Sequence, residues 1–114
     1  MDIDLSHIEA NLGYLKKLGA FKNSSPELFE FDQFADNQQY VGNILNGDKI
    51  DVYIDDGFHS DLSVLTSLRS VLPHFAQNFV CIIEDNCTVA KQLSSEYSEL
   101  NIDTSGELTI LTPQ

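Results

Sequence analysis

Two hydrophobic periods alternate along the chain. Ile8, Leu12, Leu15 and Leu18 recur at helical spacing, with Ser6 and Glu9 at capping-box positions before the stripe and Gly19 after it. That pattern predicts a helix over 6–18. A short strand-like piece, Met1-Asp2-Ile3-Asp4, precedes the helix, and Asn23-Ser24-Ser25-Pro26 predicts a turn after it. Leu28-Phe29-Glu30-Phe31 predicts a brief strand. Asp36 is placed to cap a second helix carrying Tyr40, Val41, Ile44 and Leu45, which Asn46-Gly47 ends.

The pattern is densest in the middle. Residues 50–54 predict a strand that ends in Asp55-Asp56-Gly57. Ser60 or Asp61 caps a third helix, with Leu62, Leu65, Leu68 and Leu72 on one face and Pro73 as its stop. Residues 79–83 are continuously apolar and predict a buried strand, which ends in Glu84-Asp85. A weaker helix spans 88–97. Residues 100–102 and 107–111 flank Ser105-Gly106 and predict a terminal hairpin. The predicted order is β-α-β-α-β-α-β-α-β-β. It implies an α/β domain with a mostly parallel sheet, a C-terminal antiparallel hairpin and helices on both faces.

Composition narrows the class. At 114 residues and 42% hydrophobic, the chain suits one folded domain over 1–114. Its 6 lysines and arginines stand against 18 acids, for a net charge of −12. Nucleic acid requires a basic footprint, and an anionic membrane would repel this surface, so both are excluded as partners. No apolar run approaches the roughly 20 residues that span a bilayer. No signal peptide is recognisable. Cys81 lies within the apolar run and reads as a buried small hydrophobe; Cys87 has no zinc-ligand partners at the right spacing. A reducing, cytoplasmic location is expected.

In open α/β sheets ligands bind beyond the carboxyl ends of the strands. The predicted strand ends therefore place Asp4, Asp32, Asp55, Asp56, Glu84 and Asp85 on one rim. The chain between Asp56 and Glu84 has room for one helix and two turns, so their strands are expected to be neighbours, with tips about 5 Å apart. Converging carboxylates require a neutralising cation, and oxygen-only ligands favour Mg²⁺. Asp-Asp-Gly also serves simply as a turn, and an aspartate as a helix cap. His59, at the same rim, is a candidate general base or a capping side chain. His7 and His74 read as surface residues. No G-x-G loop, P-loop or nucleophile elbow is present.

The segment Asp51-Val52-Tyr53-Ile54-Asp55-Asp56-Gly57-Phe58-His59-Ser60, followed by Ile82-Ile83-Glu84-Asp85, resembles class I S-adenosylmethionine-dependent methyltransferases. It is most similar to the metal-dependent macrolide-sugar O-methyltransferases and the cephalosporin-hydroxylase-like proteins. The likeness extends to Ile3-Asp4-Leu5-Ser6, similar to the family's second strand, and to Phe31-Asp32-Gln33, similar to its third. The resemblance implies a Rossmann-like sheet. It also implies Mg²⁺ on Asp56, Glu84 and Asp85, His59 as the base on a substrate hydroxyl, and cofactor contacts from Asp4 and Asp32.

The chain departs from the family at its start. The family's first strand and glycine-rich loop precede everything in these residues, so the sheet reads as truncated, and the stretch after Asp85 is short. Three explanations follow: a shortened or fragmentary chain, a second strand that pairs directly with the fourth, or a second copy that fills the gap. The initial Met1 favours a complete short reading frame. The leading expectation is a methyltransferase-like domain, non-catalytic alone, a homodimer that retains a metal or small-ligand site. The alternatives are a Mg²⁺-dependent O-methyltransferase acting on a sugar or small diol when a partner or dimer completes it, and an acidic protein-interaction module.

Overall fold

The computed structural model describes residues 6–19 and 26–114. The chain divides into two compact units, 1–32 and 33–114. In the first, helix α1 spans Ser6–Lys17, with Glu9 in its first turn and Lys16 and Lys17 in its last. These charges complement the helix dipole. The strand expected over 1–4, Asp4 included, lies outside the described residues, as do Asn23, Ser24, Ser25 and the side chain of His7. Residues 28–31 are not a strand. A strand exists through its ladder partner, and no described strand pairs with this stretch.

The second unit contains α2 (Gln38–Leu45), β1 (Ile50–Asp55), α3 (Asp61–Val71), a 3-10 turn at Leu72–His74, β2 (Phe75–Ile83), α4 (Val89–Glu96), β3 (Leu100–Ser105) and β4 (Leu108–Pro113). Local chemistry sets most of the boundaries. Asp36 Oδ1 accepts the Gln38 amide at 3.0 Å as α2 begins, and Asn46 ends the helix in the left-handed region. Ser60 caps α3, accepting the Ser63 amide at 3.1 Å. His74, expected at the surface, is half-buried, and its Nε2 lies 2.9 Å from the Gln38 carbonyl.

The sheet order is β1-β2-β4-β3. β1 runs parallel to β2, whereas β2 and β3 both pair antiparallel with β4. The described sheet is therefore mixed, with one parallel pair, and not mostly parallel. The hairpin took the place expected for it. β2 starts at Phe75, four residues before its apolar run, because Ala76-Gln77-Asn78 masks its first half. An aromatic row compensates: Tyr53–Phe75 and Phe75–Phe79 ring centroids lie 5.9 and 4.6 Å apart.

The core lies between this sheet and α3. Val64, Leu65, Leu68, Val71, Phe79, Cys81, Ile83, Val89, Leu93 and Leu111 are buried. Of the expected leucine stripe on α3, Leu65 and Leu68 are buried and Leu72 is half-buried, but Leu62 is 65% exposed. Ser63, Ser67 and Ser70 are buried in its place. Small side chains let the helix approach closely, and their hydroxyls return to helix carbonyls, as Ser67 Oγ does to Ser63 O at 2.7 Å.

Helix α3 packs against both α2 and α4, and α4 against β3. Arg69 joins α3 to Glu96 of α4 through two bonds of 2.9 and 3.0 Å. Within residues 33–114 the three helices pack side by side, α3 between α2 and α4. On the opposite sheet face Val52, Ile54 and Val80 are exposed.

Candidate functional site

The parallel pair of strands brings two sequence motifs together. The Glu84 amide donates to the Asp55 carbonyl at 2.9 Å, so the tips of β1 and β2 remain side by side past the last ladder pair. From there the acids separate by strand alternation. Asp55 turns toward α3 and is buried. Asp56 and Glu84 lie beyond the strand ends, close enough for their carboxyls to hydrogen-bond. That bond and the adjacent Asp56 and Asp85 charges raise the Glu84 pKa.

Asp85 takes another direction. Its φ of 57° is left-handed, and its carboxylate faces His59, with Oδ2 3.6 Å from Nε2. Both side chains are about half exposed. The three acids implied as Mg²⁺ ligands therefore split, Asp56 beside Glu84 and Asp85 beside His59. Among the described residues no group of three or more His, Cys, Asp or Glu is arranged to hold a metal ion.

A cavity of about 310 Å³ opens beside the second pair, lined by His59, Asp61, Asp85, Asn86, Cys87 and Glu107, among others. Asn86 is its keystone, a role that composition alone does not flag. Its Nδ2 donates to the His59 carbonyl and to Asp61 Oδ1, both at 2.8 Å. Its Oδ1 accepts the Thr88 and Val89 amides at 3.0 and 3.1 Å, capping α4. Its carbonyl accepts Thr109 Oγ1 at 2.8 Å. One buried side chain thus fastens the His59 loop, the start of α3 and the start of α4 to each other.

Gln33 and Ser67 are the other residues that pattern reading misses. Gln33 Oε1 accepts the Phe58 amide at 2.7 Å, and its Nε2 donates to Asp55 Oδ1 at 3.3 Å. A Cβ at Gly57 would meet that Gln33 side chain at 2.5 Å, so the glycine admits the bond. Ser67 Oγ lies 3.0 Å from Asp55 Oδ2, its one proton shared between that carboxylate and the Ser63 carbonyl. Phe58 packs on Phe34, with ring centroids 5.8 Å apart. Asp55 is thus a buried anchor of the loop, where a place on the open rim was expected.

Burial raises the Asp55 pKa, and the hydrogen bonds from Gly57, Ser67 and Gln33 only partly offset it. Burial also pushes the Cys81 thiol up to about 12 and, with the Asp55 charge, raises Tyr53 well above its ordinary value. Cys81 stays protonated and acts as packing, whereas Cys87 is exposed. A carboxyl whose pKa is higher folded than unfolded stabilises fully below its unfolded value, and that contribution is lost as pH rises through the folded value. Asp55 and Glu84 both have this sign. The melting temperature should therefore rise as pH falls from neutrality toward the ordinary carboxylate range. Asp55→Asn should raise the melting temperature at pH 7–8 and flatten the slope, because it removes the buried charge while its amide oxygen still accepts from Gly57 and Gln33 and the Ser67 hydroxyl can turn to accept from its amide nitrogen. Thermal melts against pH check both; a steeper slope in the variant contradicts them.

Asp32 lies in an irregular segment that ends the first unit, not at a strand tip. Asp4 lies outside the described residues. The implied cofactor pair is thus not assembled by anything described. No helix among the described residues is long and apolar enough to cross a membrane. The chain matches no family model, no curated protein and no solved structure.

Proposed function

We propose that these residues form a methyltransferase-like domain that binds a small polar ligand at the β1 and β2 tips and is non-catalytic alone. One observation carries the reading: the cavity at the strand ends, with the His59–Asp85 pair on its wall and Asn86 fixing its floor. A polar cavity bounded by acids suits a ligand that offers hydroxyl or ammonium hydrogens, which those carboxylates accept. His59 and Asp85 are half exposed and accessible to such a ligand. The 114 residues carry no G-x-G loop, and among the described residues no group of three His, Cys, Asp or Glu is arranged to hold a metal ion, which supports the non-catalytic reading.

The test is a heteronuclear NMR titration of the full chain. Separate additions of S-adenosylmethionine, MgCl₂ and a methyl glycoside bearing a vicinal diol are followed at His59, Asp56, Glu84, Asp85 and Asn86. The reading expects saturable shifts at His59, Asp85 and Asn86 with the diol, and no methylated product when all three are present. Absence of any shift at those residues removes the ligand site. Appearance of a methylated diol removes the non-catalytic reading.

A further inference from the structure

We propose that Gln33 is the positioning residue of the His59 site: its side chain, lying across Gly57, holds Phe58 and so sets where the next residue presents its imidazole to the cavity. The proposal rests on the reading of that cavity as a ligand site. The loop that carries His59 is tied down through its backbone. The Gly57 amide donates to Asp55 Oδ1 at 3.2 Å, and the Phe58 carbonyl lies 2.6 Å from Ser63 Oγ. The His59 carbonyl accepts from Asn86 Nδ2 at 2.8 Å. These ties come from β1, α3 and the turn after β2. A further one comes from the segment before α2, where Gln33 Oε1 accepts the Phe58 amide at 2.7 Å. Phe34, the next residue of that segment, packs its ring on the ring of Phe58. One dipeptide thus grips residue 58 by both backbone and side chain. His59 is held from before by Phe58 and from behind by Asn86, with its ring 3.6 Å from Asp85. A side chain held in this way meets its ligand without the cost of being ordered.

The chemistry of the tie suits an amide of this length. Phe58 offers an N–H and requires an acceptor; the Asp55 carboxylate requires a donor, which Gln33 Nε2 supplies at 3.3 Å. Glutamate would set a second negative charge against Asp55, and asparagine is one methylene shorter. Gly57 completes the arrangement. A Cβ there would stand 2.5 Å from Gln33 Oε1 and 2.7 Å from its Cδ and Nε2, in the space where the amide lies. Gly57 is not among the positive-φ glycines, so alanine fits its backbone. The atoms in the way are the far end of a flexible side chain. Gly57→Ala therefore expels the Gln33 amide without deleting it.

The test is heteronuclear NMR of the full chain with Gln33→Ala, Gly57→Ala and the double variant, each titrated with the methyl glycoside diol. Deleting the tie and displacing it should move the Phe58 amide and the His59 ring signals in the same direction and to a similar extent. The double variant should move them no further, because both substitutions break one contact. The dissociation constant for the diol should rise several-fold in all three, the size of one hydrogen bond's net contribution. A merely structural Gln33 lowers the melting temperature but leaves the His59 ring signals and the affinity at their wild-type values, and that result overturns the proposal. So does an additive double variant, since Gly57 and Gln33 then act by separate routes. If Gln33→Ala fails to fold, Gly57→Ala supplies the readout, and unchanged His59 signals in it overturn the proposal. A wild-type chain whose His59 signals ignore the diol removes the ligand reading and not the tie, which the non-additive movement of the His59 ring then decides.

Discussion

Asn86→Ala should destabilise the fold by about 3 kcal/mol and displace the His59 loop. The side chain is buried and makes bonds from both ends of its amide. Alanine leaves the Thr88 and Val89 amides without their acceptor at the start of α4, and cap removal alone typically costs about 1 kcal/mol. It also leaves the His59 carbonyl without its donor and Asp61 Oδ1 with the Thr88 hydroxyl alone. Each buried group left unpaired adds about 1–3 kcal/mol unless water reaches it. Asn86→Asp separates the two ends of the amide. A carboxylate still accepts the α4 amides but cannot donate, and it faces Asp61 as a like charge. Denaturant unfolding checks both variants. The account expects Asn86→Asp to be no more stable than Asn86→Ala. A loss below about 0.5 kcal/mol for alanine contradicts the keystone role, since that is the range of ordinary surface substitutions.

Leu68→Ala should cost a similar amount, about 3 kcal/mol, for a different reason. Leu68 is among the largest fully buried side chains and sits on α3, the helix that contacts both α2 and α4. Its removal opens a cavity at the centre of the three packed helices, where Ser63, Ser67 and Ser70 are too small to fill it. For a domain near this size the melting temperature should fall by roughly 15 °C. Leu62→Ala, on the same predicted stripe but 65% exposed, should change stability by less than about 0.5 kcal/mol. The contrast between these two leucines reports the true facing of α3. Equal losses contradict it.

These two leucines also show how far periodicity reads the fold. It placed α3 correctly along the chain and found Leu65 and Leu68 on its buried face, but it put Leu62 there as well and missed Ser63, Ser67 and Ser70. The strand at 50–54 and the terminal hairpin were legible, since each has both its alternation and its turn residues in sequence. The strand expected at 28–31 had an alternating pattern but no described partner, and alternation alone does not make a ladder.

The site was legible to the level of its elements and no further. Parallel neighbours were readable from the chain length between Asp56 and Glu84, and the structure pairs those strands. The side-chain directions were not readable. A left-handed Asp85 sends its carboxylate to His59, and strand alternation buries Asp55. Gln33, Ser67 and Asn86 act through long-range hydrogen bonds that carry no local period. An Asn shortly before a helix was the one available signal, since Asx residues favour caps.

The central claim is that folding presses the ends of β1 and β2 together so that Asp56 and Glu84 share one polar environment. Carboxyl-carbon NMR titration of Glu84, in the natural chain and in Asp56→Asn, tests it most directly. The account predicts that Glu84 titrates above the ordinary glutamate range, and that Asp56→Asn moves it back toward that range by removing the adjacent charge. A Glu84 that titrates at its ordinary value in the natural chain, unmoved by the substitution, would contradict it.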